Sequence, residues 1–472
     1  MVHGKIGPKL ANKVTCDISW DDEMLEFYSV DGSSYALRPQ AIAFPRNEKD
    51  LIEIMRFAAR NKIAVTPRGA GTGLVGGSLG SGIILDMRHF DKIKVGRRFV
   101  QVESGVSKGK LDGTLKKHQR FLGPNPSIGP FCTIGGMIGT NASGSHSLKY
   151  GSIIDNLIQV RIVTLRGKIV NLPDKGVVTR NILRVVKPEI PKKFPSVSKN
   201  SCGYRIDKIA SRADVQRIVA GSEGTLGVIT SAKLRTFPLP KRTVLLILSY
   251  RTLRQAVIDV PQILKLGPSA VEIIDDNIVE YVTATLPRKT GCLLFIEFDE
   301  DVQRRRTSVI RMLSGKLVKS TTRPKQIAQW WGFRHSALSY SLRSISSKET
   351  VSSLIEDATV PVHRLPLLLD LVDYIRSKYH IRTIIYGHAG NGNLHIRPIL
   401  RKEDGHIIND IAKEFFAGVI SIGGSITGEH GDGLARTKFV EMQYGKKTYA
   451  VFKKVKKFFD PTNTFNPGKI VI

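Results

Sequence analysis

Two glycine-rich loops constrain the fold of this chain more than any other feature. The first spans residues 67–78, Pro-Arg-Gly-Ala-Gly-Thr-Gly-Leu-Val-Gly-Gly-Ser, and the second spans residues 133–144. Glycine accepts positive φ, so successive backbone N–H groups can converge on a phosphate. The glycines of the first loop do not open a long helix, which excludes the dinucleotide-binding GxGxxG motif. No Gly-Lys-Ser/Thr follows them, which excludes a P-loop. A plain surface loop also fits this segment alone, but the pair suits one long, doubly phosphorylated cofactor.

Segments of strand and helix composition alternate around both loops. Asn47 predicts a helix N-cap, apolar residues follow it at helical spacing, and residues 63–66 return to β-branched strand composition. A second such unit runs from residues 99–102 through a lysine-rich helix to the second loop. Strands at 157–165 and 227–237 close the region. This order predicts βαβ-like units around the loops.

A proline-containing linker at residues 238–241 precedes a second region. Strand-like segments restart at 244–248, 270–274 and 292–298, with helical stretches between them. The repeated order predicts an additional α+β domain.

A pair of histidines lies on either side of a turn in the second half. Asn391-Gly392 is the strongest short hairpin signal, a type I′ turn. This turn predicts that His388 pairs with His395 across the ladder, with Cβ atoms about 4.5–5.5 Å apart on one face. Two imidazoles at that separation can share one metal cation. A purely structural role for both histidines is the alternative.

Glu429 and His430 stand side by side between glycines. They offer a carboxylate ligand and a general base, although a solvated loop fits the segment as well. Neighbouring side chains on an extended chain point to opposite sides. We therefore expect the two residues to serve different roles, unless Gly428 and Gly431 bend the backbone sharply.

Charge, cysteine usage and hydropathy exclude several classes of protein. The net charge of +31, from 72 Lys+Arg and 41 Asp+Glu, attracts anions, including an anionic membrane surface or a small carboxylate. The basic residues are scattered without an aromatic-interleaved stripe, so we expect no nucleic-acid partner. The four cysteines form no CxxC pair, which argues against a disulfide framework or a zinc ribbon. Short apolar stretches and the absence of a secretory pattern predict a cytoplasmic protein, with peripheral contact at the inner membrane face left open.

Together the motifs resemble known flavoproteins. The two loops, with Lys149-Tyr150-Gly151 and the Gly-Ser-Glu-Gly-Thr-Leu-Gly segment at 221–227, resemble the FAD domain of the vanillyl-alcohol oxidase superfamily. The histidine pair, Glu429-His430 and the segment from Asp460 to Lys469 resemble the FAD-linked D-lactate, glycolate and D-2-hydroxyglutarate dehydrogenases. The resemblance covers nearly the whole chain from about Gln40.

The resemblance implies an α+β fold, with a PCMH-type FAD-binding domain of two α/β subdomains and an α+β cap domain with an antiparallel sheet. On this basis we expect the FAD-binding domain at residues 1–238 and the cap domain, with the substrate and metal sites, at 239–425. Residues 426–472 are expected to return to the FAD domain as a C-terminal segment.

The resemblance also implies FAD as the cofactor. In the family the first loop carries the pyrophosphate, the second lines the flavin and ribityl chain, and the Gly-Ser-Glu-Gly stretch packs near the adenine. Relatives with covalent FAD have a histidine where this chain has Thr72, and Cys132 lies one residue from the position of a cysteinyl bond. We therefore expect non-covalent FAD. The matching residues are Arg68, Gly69, Gly71, Thr72, Gly73, Gly76, Gly77, Ser78, Thr133, Gly135, Gly136, Asn141, Ala142, Ser143, Glu223, Gly227 and Asn466.

The activity implied is metal-assisted oxidation of a small D-2-hydroxy acid. His388, His395 and Glu429 are expected to bind a divalent metal, zinc, manganese or iron, that holds the substrate hydroxyl and carboxylate. His430 is expected to take the hydroxyl proton while a hydride leaves for the flavin. The expected substrate-binding residues are Arg334 and Asn393.

Two segments bear on the choice of substrate. Arg334 follows Trp330-Trp331, where the family has the arginine that pairs with the substrate carboxylate, although a surface helix charge also fits. Relatives specific for 2-hydroxyglutarate carry a lysine shortly before the aspartate of the next strand. Here residues 354–357, Leu-Ile-Glu-Asp, offer only apolar residues and acids. We therefore expect D-lactate or a similar monocarboxylate.

Other functions stay open at this point. Within the superfamily they are a glycolate or D-2-hydroxyglutarate dehydrogenase, and a sugar or aldonolactone flavin oxidase that has no use for the histidine pair. From another class comes a basic nucleic-acid or membrane-surface binding protein with a degenerate flavin fold. The electron acceptor, whether a quinone, an electron-transfer flavoprotein, a cytochrome or an iron–sulfur subunit, is not fixed by the sequence, and neither is a homodimer.

Overall fold

The computed structural model describes residues 6–186, 194–343 and 345–472. The described chain contains a four-stranded, a five-stranded and an eight-stranded sheet, with a two-stranded ribbon. The first two sheets precede the predicted linker, and the eight-stranded sheet follows it. Within the described ranges, no helix is both long and apolar enough to cross a membrane.

The first sheet carries the first glycine-rich loop. Its order is β1-β2-β4-β3, with β4 parallel to β2 and β3 and with β1 antiparallel to β2. Asn47 caps α3 as predicted, because its side chain accepts from the backbone N–H groups of Lys49 and Asp50. The elements are α1 (Ile6–Ala11), β1 (Asp17–Ser19), α2 (Asp22–Phe27), β2 (Ala41–Phe44), α3 (Glu48–Asn61), β3 (Val65–Arg68) and β4 (Ile83–Asp86).

The second sheet carries the second loop and is antiparallel throughout, in the order β5-β6-β10-β8-β9. The expectation of a second βαβ-like unit is therefore wrong, because such a unit needs two parallel strands and all neighbouring strands of this sheet are antiparallel. The elements are β5 (Ile93–Val95), β6 (Phe99–Glu103), α4 (Lys108–Lys117), β7 (Arg120–Phe121), α5 (Ile134–Thr140), α6 (Ser147–Tyr150), α7 (Ile153–Asn156), β8 (Leu157–Val163), β9 (Ile169–Leu172), α8 (Val177–Val186), β10 (Val228–Arg235) and β11 (Phe237–Pro238), which pairs with β7.

The eight-stranded sheet follows the linker and is antiparallel, in the order β15-β12-β14-β13-β18-β19-β16, with β17 beside β19. Its central strands are buried on both faces, which explains their nearly continuous apolar composition. The strands are β12 (Val244–Tyr250), β13 (Ala270–Asp275), β14 (Cys292–Phe298), β15 (Lys316–Thr321), β16 (Glu349–Val351), β17 (Ala358–Thr359), β18 (Arg382–His388) and β19 (Asn393–Arg401). The helices are α9 (Leu253–Leu264), α10 (Asp276–Val279), α11 (Val302–Met312), α12 (Pro324–His335), α13 (Ala337–Arg343), α14 (Leu365–Tyr379), α15 (Ile408–Ser421), α16 (Gly433–Arg436) and α17 (Val440–Phe459).

The last residues of the chain lie against the first sheet. The backbone N–H of Val65 in β3 donates to the carbonyl of Thr464, and the N–H of Asn466 donates to the carbonyl of Val65, both at 2.8 Å. The Asn466 side chain donates to the carbonyls of Gly77 at 2.8 Å and Glu223 at 2.6 Å. Asn466 therefore ties the first glycine-rich loop to the segment that carries Glu223.

Asp275, at the end of β13, gives the fold a testable pH dependence. Burial raises the pKa of its carboxyl from 3.8 to about 7. The folded chain thus keeps a proton that the unfolded chain releases between these values, so the stability from this group is lost as the pH rises from about 4 to 7. We expect Asp275→Asn to be more stable than the native protein at pH 8 by roughly 1–3 kcal/mol, with the gain shrinking toward pH 5. Denaturant unfolding at both pH values measures this, and an equal gain at both would contradict it.

Candidate active site

A cavity of about 410 Å³ lies between the two glycine-rich loops and the eight-stranded sheet. His388, His395, Glu429 and His430 line it together with Arg334. The predicted cofactor residues that line the same cavity are Arg68, Gly69, Gly71, Thr72, Gly73, Gly77, Ser78, Thr133, Gly135, Gly136, Ala142, Ser143, Glu223 and Gly227. The loops and the histidine cluster, far apart in sequence, thus face one another across a single space.

Three of the predicted cofactor residues lie beside the cavity and shape its wall. Gly76 has φ +73°, and a Cβ there would meet Leu434 at 3.0 Å. Asn141 ends α5 at φ 53°, and its side-chain oxygen accepts from the N–H of Ile154 at 2.9 Å. Asn466 supports Gly77 as described above.

The two glycine-rich loops touch, and Gly69 permits the contact. A Cβ on Gly69 would lie 2.1 Å from Oγ1 of Thr133 in the second loop. The same Oγ1 accepts from the N–H of Gly136 at 3.2 Å and so caps α5. Any larger residue at position 69 would push the loops apart and widen the cavity between them.

The histidine pair is on one face, but the predicted register is wrong. His388 pairs with Asn393, and His395 pairs with Tyr386. A short 3₁₀ turn fills residues 389–391, and only Gly392 of the Asn-Gly dipeptide has positive φ. His388 and His395 are therefore diagonal neighbours, with ring centroids 5.2 Å apart. The longer loop shifts the pairing by two residues. Because side chains alternate between the faces of a sheet with a period of two, both histidines stay on the same face.

His388, His395 and Glu429 form a compact group of metal-ligand type. Glu429 Oε1 lies 2.6 Å from His388 Nε2 and 3.4 Å from His395 Nε2. One ligand atom from each of the three residues lies within 4.8 Å of the others. Burial lowers the pKa of His395 to about 4, although its hydrogen bond with Glu429 acts in the opposite direction. One nitrogen from each imidazole and a carboxylate oxygen suit a divalent cation.

Glu429 is held in place from the side of the second loop. Its Oε2 accepts from Ser143 Oγ at 2.5 Å, from the N–H of Gly144 at 3.0 Å and from Lys199 Nζ at 2.8 Å. Burial opposes the charge on Glu429, but His388 and Lys199 hold the pKa of its carboxyl well below the usual range. The second glycine-rich loop therefore also orients the carboxylate of the histidine cluster.

The backbone at Glu429 and His430 is curled. The N–H groups of Gly428, Glu429 and His430 all donate to Oδ2 of Asp357 at 2.9 Å. Three successive N–H groups converging on one oxygen require a nest-like bend. The sharp bend that the flanking glycines left open is therefore present, and Glu429 and His430 both face the cavity.

His430 is paired with a buried carboxylate. Its Nδ1 lies 2.7 Å from Oε1 of Glu356, and its ring stacks on His395 at 4.9 Å. Burial opposes a charge on His430, but Asp357 and Glu356 raise its pKa to about 9. Glu356 is in turn paired with Arg397. The Glu356 contact fixes Nδ1, so Nε2 is the nitrogen left to face the cavity.

Arg334 is buried, so the alternative of a surface helix charge is wrong. Its side chain donates to Oε2 of Glu272 at 2.6 Å and lies over the ring of Tyr386. Its Nε has no hydrogen-bond partner in the described chain. The same holds for Nε2 of His335, whose pKa burial and Arg334 lower to about 4. Both residues line the cavity, where an oxygen atom of a ligand would supply the missing acceptor for the Nε–H of Arg334.

Asn393 lies behind the cavity. Its side chain donates to Oδ1 of Asp357 at 3.2 Å and to the carbonyl of Ala358 at 3.1 Å. It is fully buried and does not line the cavity. Asn393 thus supports Asp357, which in turn holds the backbone at His430.

The structure adds residues that the sequence reasoning missed. Glu272, Glu356 and Lys199 contact the histidine cluster or Arg334 directly. A signal exists for Glu272, since an acid in the middle of a continuous apolar strand requires a buried partner. Lys199 lies in an irregular segment whose composition gives no such signal.

Two known families match this chain. Residues 39–173 match the family described as FAD binding domain, and residues 239–470 match the family described as FAD linked oxidases, C-terminal domain. The chain therefore carries an FAD-binding domain, as predicted, followed by a domain of the kind found at the C-terminus of FAD-linked oxidases.

Relatives of the chain are named as enzymes of 2-hydroxy acids. It is 30% identical to D-2-hydroxyglutarate dehydrogenase of Pantoea ananatis (strain AJ13355), over 94% of this chain and 49% of that protein. It is 29% identical to glycolate oxidase subunit GlcD of Bacillus subtilis (strain 168), over 94% and 91%. It is 27% identical to D-lactate dehydrogenase of Anaerostipes hadrus, over 92% and 90%. The chain thus spans about half the length of the Pantoea relative.

Solved structures confirm the predicted fold class. Two structures of alkyldihydroxyacetonephosphate synthase superpose with TM-scores of 0.70 and 0.69 at 19% and 20% identity. They cover 98% and 95% of this chain, and 86% and 83% of theirs. At this identity the likeness concerns the fold alone.

Proposed function

We propose that this protein is an FAD-linked oxidase that oxidises a small D-2-hydroxy acid, D-lactate or a similar monocarboxylate, to the 2-oxo acid. The observation that carries the proposal is the placement of His388, His395 and Glu429 opposite the two glycine-rich loops, in one cavity with Arg334. A sugar or lactone oxidase has no use for such a cluster. The names of the relatives from Pantoea, Bacillus and Anaerostipes support the class of substrate.

The donor set fits a divalent cation, which we propose is zinc, manganese or iron. Two imidazoles and one carboxylate suit any of these ions. His388 has its Nδ1 on Glu272 at 2.7 Å, so Nε2 is oriented toward Glu429 and available as a ligand. FAD is proposed to bind without a covalent bond, because Thr72 lines the cavity in place of a histidine and burial raises the pKa of Cys132 to about 11.

Oxidation of a 2-hydroxy acid removes a proton from the hydroxyl and a hydride from the α-carbon. When bound, FAD supplies the hydride acceptor and the cation supplies Lewis-acid charge at the hydroxyl. Arg334 binds the substrate carboxylate through its buried, unpartnered Nε. His430 accepts the hydroxyl proton on Nε2, while Glu356 holds Nδ1. His430 acts as a base only when neutral, and positive charge bound beside it at Glu429 lowers its pKa.

The cavity wall favours a monocarboxylate. Among the described residues that line it, the side chains with a permanent positive charge are Arg68 and Arg334. Arg68 already donates to the carbonyls of Tyr28 at 3.2 Å and Val30 at 2.8 Å. A second substrate carboxylate therefore meets no unengaged guanidinium or ammonium at this wall. This supports D-lactate or a similar acid over 2-hydroxyglutarate.

The remaining expectations follow from this function. We propose that residues 1–238 bind FAD, that 239–425 form the cap domain, and that 426–472 return to the FAD domain. We propose that the electrons from the substrate would leave through a separate acceptor, such as a quinone, an electron-transfer flavoprotein, a cytochrome or an iron–sulfur subunit. The net charge of +31 suits an acidic acceptor or an anionic membrane face.

A dye-reduction screen tests the proposal. The purified, FAD-loaded protein is offered D- and L-lactate, glycolate, D-2-hydroxyglutarate and an aldonolactone, with an artificial electron acceptor. We expect D-lactate or another short D-monocarboxylate to give the highest kcat/KM. Turnover of the aldonolactone alone would replace the proposal with a sugar-type oxidase, and a preference for D-2-hydroxyglutarate would correct the substrate.

A further inference from the structure

Glu272 joins two parts of the cavity wall that the proposed function treats separately. It lies in the middle of β13, fully buried. Its Oε1 is 2.7 Å from Nδ1 of His388, and its Oε2 accepts from Arg334 at 2.6 Å. One carboxylate thus contacts both a proposed metal ligand and the proposed anchor of the substrate carboxylate.

The contact on His388 determines which nitrogen can serve as a ligand. Each ring nitrogen of His388 lies within hydrogen-bond distance of a carboxylate, Nδ1 of Glu272 at 2.7 Å and Nε2 of Glu429 at 2.6 Å. An imidazole that binds a cation through Nε2 keeps one N–H, on Nδ1, and Glu272 is placed to accept it. The carboxylate also makes the imidazole a better electron donor.

Arg334 and His388 both interact with the negative charge of Glu272, so a stronger interaction with one weakens the interaction with the other. Arg334 is 2% exposed, and its Nε has no partner in the part of the chain that the structure describes. A substrate carboxylate that binds this guanidinium draws its positive charge away from Glu272. More of the negative charge of Glu272 is then available to His388.

We propose that Glu272 is a positioning residue that couples metal binding to binding of the substrate carboxylate, each strengthening the other. The inference rests on the proposed function for its two ligands. The charges determine the direction of the effects. Loss of the Glu272 carboxylate lowers the affinity of the metal site, whereas loss of the positive charge of Arg334 raises it. Coupling between two sites is reciprocal, so the effect of the Arg334 charge on Zn²⁺ affinity reports its sign.

The test measures Zn²⁺ affinity by equilibrium dialysis of the full, FAD-loaded chain. We expect Glu272→Gln to weaken Zn²⁺ binding by about 10-fold to 100-fold, the usual scale for a carboxylate behind a histidine ligand. Arg334→Gln should tighten it. The matched control is Glu297→Gln on the adjacent strand β14, a buried carboxylate that accepts from Trp331 and contacts His146 at 2.8 Å, outside the proposed metal ligands. Its Zn²⁺ affinity should equal that of the native protein.

Folding and function are checked separately. Bound FAD and the melting temperature identify a misfolded variant, and Glu272→Asp provides a second one that keeps the charge but is too short to hold both partners. It should lose Zn²⁺ affinity as well. Native affinity in both Glu272 variants would overturn the proposal, and so would equal weakening by Glu272→Gln and Arg334→Gln. Failure of the proposed function appears instead as no dye reduction with any 2-hydroxy acid, which leaves the Zn²⁺ results interpretable.

Discussion

Removal of the metal should abolish turnover of the 2-hydroxy acid while FAD stays bound. The two proposed histidine ligands lie on β18 and β19, and among the three ligands it is Glu429 that contacts a glycine-rich loop directly, through Ser143 and Gly144. Dialysis against a chelator, His388→Ala and His395→Ala should therefore have the same effect. Each variant should lose metal affinity by at least roughly 10-fold to 100-fold, the scale seen even for residues behind the ligands.

The measurement is metal content by elemental analysis, beside flavin absorbance and steady-state turnover. His118→Ala is the control, because His118 is exposed at the end of α4 and should leave all three unchanged. Full activity in a metal-free preparation would remove the metal from the proposed function.

Replacement of His430 should slow flavin reduction without loss of the metal, FAD or substrate binding. His430→Asn removes the nitrogen that accepts the proton, so a loss of about 10²-fold to 10⁴-fold in the rate is expected, as for other general bases. The Nδ1 contact with Glu356 and the backbone contact with Asp357 locate His430 independently of Glu429. Metal content, bound FAD and substrate binding should therefore persist.

Glu429→Gln provides the contrast. Its Oε2 accepts from Ser143, Gly144 and Lys199, and an amide N–H₂ placed there would face three donors. Glu429→Gln should consequently lose metal, with the rate falling as a result. Single-turnover flavin reduction beside metal content separates the two variants. A metal-free His430→Asn protein would reverse the roles of the two residues.

The parts of the fold that local chemistry determines could be predicted from the sequence. The N-cap at Asn47, the strands of the eight-stranded sheet nearest the linker and the two glycine-rich loops each depend on a few neighbouring residues. Their periodicity and turn residues suffice, and the structure agrees on them.

Features that depend on distant contacts could not be predicted. The hairpin signal at Asn391-Gly392 was outweighed by packing, since Gly392 sits where a Cβ would lie 2.0 Å from the carbonyl of Val360. The curl at Glu429 exists because Asp357, on another segment, gathers three N–H groups. Glu272 stands more than a hundred residues before His388 in the chain, so nothing local to the histidine pair points to it.

The clasp made by Asn466 implies an order of events during synthesis. Its side chain holds the carbonyls of Gly77 and Glu223, and its backbone holds Val65, so the wall of the cavity reaches its final shape only after the ribosome has made position 466. A nascent chain that lacks residue 466 also lacks these contacts, even when both glycine-rich loops have already left the ribosome. We therefore expect FAD to bind tightly only after residue 466 has been made, and a chain truncated before this asparagine to bind FAD more weakly than the full chain.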